Sequence, residues 1–164
     1  MTAVPPRRRQ PGPKKERPRD ELGRPLPKGE ENRLHMEDFD AHSLDENHRL
    51  GIRHFDGGRF FPAHEAWETA WKQARGTDDE EFFKGLSQLG AGYVHYRRGN
   101  AHGAGVLVRR AVSRIGPYGP VHHGVDVAAL VRVAEEQARV FERAEREGSE
   151  LPDVAVPRLG DRPG

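Results

Sequence analysis

Between Asp78 and Gly99 the apolar residues Phe82, Leu86, Leu89, Tyr93 and Tyr96 recur at helical spacing. The other side of the same helix carries Gly85, Gln88, Gly92 and His95. Glycine inside a helix costs about 0.5–1 kcal/mol relative to alanine. Two glycines on one stripe therefore predict the close approach of a second helix, and they make this segment the centre of the fold, packed on both sides. The acidic run Asp78, Asp79, Glu80 and Glu81 suits the positive end of its dipole.

Four further helices flank it. Ser43 is expected to cap the first, whose apolar positions are Leu44, Leu50, Ile52 and Phe55 and which stops at Gly57-Gly58. The second runs from about Arg59 to Ala74, with Phe60, His64, Trp67 and Trp71 on one stripe and Pro62 in the first turn, where its missing N–H does no harm. Asn100 caps a fourth helix containing Ala104, Leu107, Val108, Ala111, Val112 and Ile115. Residues 116–124 read as a rigid connection without strands. Asp126 caps a fifth helix that ends at Gly148. His54-Phe55 before Gly58 is echoed by His95-Tyr96 before Gly99, an offset of 41. The expectation is an all-α, compact bundle of about five helices: two helix-turn-helix hairpins closed by a long C-terminal helix, with disordered termini.

Composition sets the boundaries. Residues 1–28 hold seven of the thirteen prolines and nine Lys/Arg against three Asp/Glu, a net of +6 in a chain whose total is +1. Such a segment buries too little apolar surface to offset its ordering entropy. Residues 1–42 are therefore read as a disordered basic, Pro-rich arm, 43–148 as the helical domain and 149–164 as a loose tail. The arm is a solubilising segment or a weak nucleic-acid contact through residues 1–28. No apolar run approaches the ~20 residues of a membrane span, and no secretory leader is visible, so a cytoplasmic location is expected. Cysteine is absent, which excludes disulfides, zinc-thiolate sites and thiol catalysis.

The second helix carries the candidate chemistry. His64 and Glu68, at i and i+4, point to one place, and Glu65 lies about 100° round from His64. A divalent ion such as zinc, iron or manganese suits these donors. His64, Glu68 and, from the facing helix, His95 are the candidate ligands, and Glu65 is the candidate base acting on a metal-bound water. The pattern His-Glu-x-x-Glu lacks the second histidine of the zinc-protease signature. The competing reading is a buried polar network, the commoner fate of a histidine among aromatics. There Arg59 or Arg97 neutralises a glutamate, and Gln88 pins a helix crossing. Arg59, Gln88 and Asn100 form the supporting polar set. The tryptophans are read as core. His122 and His123 are read as an exposed adjacent pair that binds metal only adventitiously.

The run Gly58-Arg59-Phe60-Phe61-Pro62-Ala63-His64-Glu65-Ala66-Trp67-Glu68 resembles the hallmark of the family called domain of unknown function 309. So do Phe83-Lys84-Gly85-Leu86-Ser87-Gln88-Leu89-Gly90-Ala91-Gly92-Tyr93-Val94-His95 and the following Arg98-Gly99-Asn100 and Gly103-Ala104. The resemblance covers roughly residues 47–115. It implies a small, all-helical bacterial or archaeal protein. Descriptions of some members as metal-dependent hydrolases would fall on His64, Glu65, Glu68 and His95. Gly90, where the family has an Ile- or Val-like neighbourhood, reads as a local variation.

Two functions follow as expectations. The first is a non-catalytic binding or interaction module for a protein or small-molecule ligand, built on a buried His/Glu/Gln cluster, with self-association as a further possibility. The alternative is a metal-dependent hydrolase on the His-Glu-x-x-Glu helix.

Overall fold

The computed structural model describes residues 18–20, 24–29, 31 and 37–160. The helices are α1 (Leu44–Asp56), α2 (Phe60–Gln73), α3 (Glu80–Arg97), α4 (Ala101–Ile115) and α5 (Val127–Glu147). A two-stranded antiparallel hairpin, β1 (Val121–His122) and β2 (Val125–Asp126), joins α4 to α5. Each helix packs on the next in sequence, and α3 lies between α2 and α4. The architecture is the expected all-α bundle. None of its helices, among the described residues, is long and apolar enough to cross a membrane.

The helix ends follow the local chemistry. Ser43 and Glu46 form a capping box on α1. Asn100 accepts from the Gly103 N–H on α4, and Asp126 accepts from the Ala129 N–H on α5. The 41-residue echo is structural. Arg59 N–H donates to His54 C=O at 2.8 Å, and Asn100 N–H donates to His95 C=O at 2.9 Å. In each turn a side chain five residues on also donates to the histidine Nδ1, from Arg59 Nε at 3.0 Å and from Asn100 Nδ2 at 3.1 Å. The two hairpins thus turn on the same device.

Glycine sets how close the helices come. The stripe of Gly85 and Gly92 meets α4, as expected: a Cβ would stand 2.7 Å from Ile115 Cγ1 at Gly85 and 2.8 Å from Val108 Cγ2 at Gly92. Helix α2 does not face that stripe. It packs on Gly90, where a Cβ would lie 3.0 Å from the His64 backbone nitrogen and 3.1 Å from its Cα. Gly90 is therefore a packing requirement rather than a neutral variation.

The core is centred on Tyr93, fully buried, with its ring 5.5 Å from both Phe55 and Phe60 and 6.2 Å from Phe141. Its hydroxyl donates to Gln137 Oε1 on α5, and burial pushes its pKa upward. Trp67, Phe82, Phe83, Leu86 and Leu89 complete the centre. Each buried side chain of this size contributes about 1.5–3 kcal/mol.

Four parts differ from expectation. The buried face of α1 is Asn47, His48, Gly51 and Phe55, and Leu50 is only half-buried. Trp67 explains the small residue: its indole fills the place of a Cβ at Gly51. The connection after α4 contains the β-hairpin. Its turn residues His123 and Gly124 have φ of 46° and 74°, and positive φ at both centres favours a tight hairpin. The prolines predict a loose tail, yet residues 149–160 lie across the bundle. Leu159 is buried, Tyr96 Oη accepts from Val154 N–H at 3.0 Å, and Asp56 accepts from the Leu159 and Gly160 N–H groups at 2.8 Å each. Hydrogen bonds hold a segment that composition marks as irregular. Finally, Asp20 and Leu26 within the expected arm are buried, and Asp20 accepts from Arg24 N–H at 2.9 Å. Most of the arm, including Arg7, Arg8 and Arg9, and residues 161–164 lie outside the described residues.

Replacing Gly90 by valine forces α2 and α3 apart. Gly90→Val is expected to lower stability by about 1–3 kcal/mol, read from urea unfolding followed by circular dichroism. Unchanged stability would show that α2 does not depend on this contact.

Candidate functional site

The first three turns of α2 bring His64, Glu65 and Glu68 together. One ligand atom from each lies within 4.8 Å of the others. The imidazole is anchored by α3. His64 Nδ1 lies 2.8 Å from the Ser87 carbonyl and 2.9 Å from Ser87 Oγ, and Ser87 Oγ also donates to the His64 carbonyl at 3.2 Å. The assignment that satisfies all of these groups has Nδ1–H donating to the carbonyl. Nε2 is then turned toward the carboxylates, 3.5 Å from Glu68 Oε2 and 3.9 Å from Glu65 Oε1. The side chains are 25%, 34% and 32% exposed for His64, Glu65 and Glu68, so the cluster opens at the surface.

Burial pushes the Glu65 carboxyl above the usual carboxylate range, partly opposed by His64 and reinforced by Glu68. Lys72 Nζ stands 3.5 Å from Glu68 Oε1. Arg59 does not neutralise either glutamate, because its guanidinium serves the α1–α2 turn. Arg97 instead lies over the Phe60 ring at 5.3 Å. Gln88 does pin a crossing, accepting from Arg114 Nε on α4 at 3.0 Å.

His95 does not join the cluster. It lies eight residues beyond Ser87, about 12 Å along α3 and about 80° round the axis. Its ring belongs to the α3–α4 turn, where Asn100 donates to it and Gly103 packs against it. The echo at His54 shows why: this histidine is the turn device of its hairpin, and Asn100 is its partner as well as a cap.

Two polar groups escape a search for apolar stripes. Asn47 Nδ2 donates to the Phe39 carbonyl at 2.9 Å and to Gln73 Oε1 at 3.0 Å. His48 Nδ1 accepts from Trp67 Nε1 at 3.1 Å, so its Nε2–H donates to the His123 carbonyl at 2.9 Å. Their signal was positional: 47, 48, 51 and 55 fall on one face of α1. Nor are His122 and His123 a free pair. Their Nε2 atoms each lie 2.7 Å from one oxygen of Asp79, which immediately precedes α3. Partial burial raises the Asp79 pKa, but hydrogen bonds from His123 and His122 outweigh it and hold the carboxyl below its usual range.

Residues 48–107, from within α1 to within α4, match the family model for the domain of unknown function DUF309. Over this segment, rather more than a third of the chain, the sequence is similar to that family. Among curated proteins none is significantly similar to the chain.

Burial drives the His48 pKa below its ordinary value near 6.5, outweighing the hydrogen bond to His123. The unfolded chain takes up that proton more readily. The His48 contribution to stability is thus intact above about pH 6.5 and is lost as pH falls through the lower folded value. Urea unfolding at a series of pH values should show stability declining below this point, and an NMR titration should place the His48 midpoint under 6.5. A midpoint at or above 6.5 would contradict the buried neutral ring.

Proposed function

We propose that this chain is a non-catalytic binding module that holds a divalent cation at His64, Glu65 and Glu68. The observation that supports this most directly is the anchoring of His64 Nδ1 on Ser87, which presents Nε2 to two carboxylates. Metal-ligating histidines commonly tie their other ring nitrogen to a carbonyl or carboxylate in this way. Nε2 and the two carboxylates converge, and a divalent cation satisfies all three groups. Zinc, iron and manganese suit the donor set. The surface position leaves the ion accessible to a carboxylate or phosphate on a protein or small-molecule ligand.

Hydrolysis at this cluster asks for more. It uses Glu65 as a base beside metal held by His64 and Glu68, with His95 as a third ligand. The α3–α4 turn engages that ring instead. The binding reading needs only the residues α2 brings together.

Elemental analysis of protein grown with added zinc, iron and manganese tests the reading. His64→Ala should lower the metal content of the chain by one equivalent, with the far-UV circular dichroism preserved. The substitution also orphans the Ser87 carbonyl, so stability should fall by about 1–3 kcal/mol. A metal content that His64→Ala leaves unchanged, or no bound metal at all, defeats the proposal.

A further inference from the structure

We propose that Asp79, His122 and His123 form a separate site for a zinc-like transition-metal ion, which clamps the β-hairpin to the start of α3. The argument begins with convergence. Three donors from segments 43 and 44 residues apart meet with one ligand atom each within 4.8 Å. Adjacent residues of a strand ordinarily point to opposite faces. Here the chain turns at His123, with φ of 46°, and the two rings come to the same side with centroids 4.6 Å apart.

The site is also supported from the core. The His123 carbonyl is held by His48 Nε2–H, and His48 is held by the indole of fully buried Trp67. Phe82 packs 4.8 Å from the His122 ring and 5.8 Å from the His123 ring. Tyr118 closes on His122 at 4.9 Å. Both imidazoles are thereby fixed by apolar walls and by a hydrogen-bonded chain that ends in the interior. An adjacent histidine pair on an open loop has neither.

Two imidazole nitrogens and a carboxylate select zinc and its neighbours over magnesium or calcium, which prefer all-oxygen shells. Donors around tetrahedral zinc stand about 3.3 Å apart, given bonds of about 2.0–2.1 Å. The 2.7 Å hydrogen-bonded contacts therefore open by about half an ångström to admit the ion. Three protein donors leave the fourth position to water.

The inference does not rest on the α2 cluster, and its test removes that cluster. Full-length protein carrying His64→Ala is titrated with zinc by calorimetry and with cobalt(II) by visible absorption. The expected result is one zinc equivalent, a tetrahedral cobalt band and a higher melting temperature with zinc. Asp79→Asn decides the case: it keeps an oxygen to accept from one histidine, and Asp79 makes no side-chain cap on α3 that the change could break. Losing a partner that merely orients a ligand weakens metal binding about 10–100-fold, and losing a ligand costs at least that. Asp79→Asn should therefore weaken zinc binding by at least about tenfold, and His123→Ala should do the same, with helicity unchanged. No zinc uptake in the His64→Ala protein would overturn the proposal and leave a purely hydrogen-bonded clasp. Uptake that Asp79→Asn does not weaken would overturn it too, as an adventitious ion only.

Discussion

The bundle depends on how closely α3 lets its neighbours approach. Gly85 and Gly92 admit α4 on one side, and Gly90 admits the α2 backbone at His64 on another. Both approaches follow from missing side chains, and both have functional weight. The Gly90 contact brings α2 onto α3 at the level of Ser87, so the same packing that builds the core orients the imidazole of His64. Interhelical distance and site geometry are one variable here.

The nine histidines of the chain include several with sharply different work. His48 is a buried neutral link between Trp67 and the hairpin. His54 and His95 accept a side-chain hydrogen bond within equivalent turns. His64 is held by a carbonyl and faces carboxylates, while His122 and His123 grip a single aspartate. Residue type alone assigns none of these roles. The partner at the second ring nitrogen does.

That contrast explains what could be read in advance. The helices were legible because their apolar periods, caps and terminating glycines agree with one another, as at Ser43, Asn100 and Asp126. His64, Glu65 and Glu68 were legible because a single helix carries all three. His95 was misplaced because its stripe on α3 faces α4, and only tertiary packing fixes which neighbour takes which face. Asp79 with His122 and His123 was illegible for a related reason: the pairing spans more than forty residues and needs a hairpin whose His-Gly turn is a weak signal beside Asn-Gly. The ordered tail was hidden because backbone N–H groups, which no sequence pattern displays, make its bonds to Asp56.

The Tyr93–Gln137 contact carries one more implication. The family match ends at Leu107, inside α4, yet the hydroxyl at the centre of the core is satisfied from α5, and Gln137 in turn donates to the Ala155 carbonyl. A fragment trimmed to the matched segment would lose the Ser43 cap, strip Phe141 from the stacked Tyr96 ring and leave a buried phenol with no acceptor. The unit that evolution labels and the unit that folds are different lengths of the same chain, and any excised version must respect the longer one.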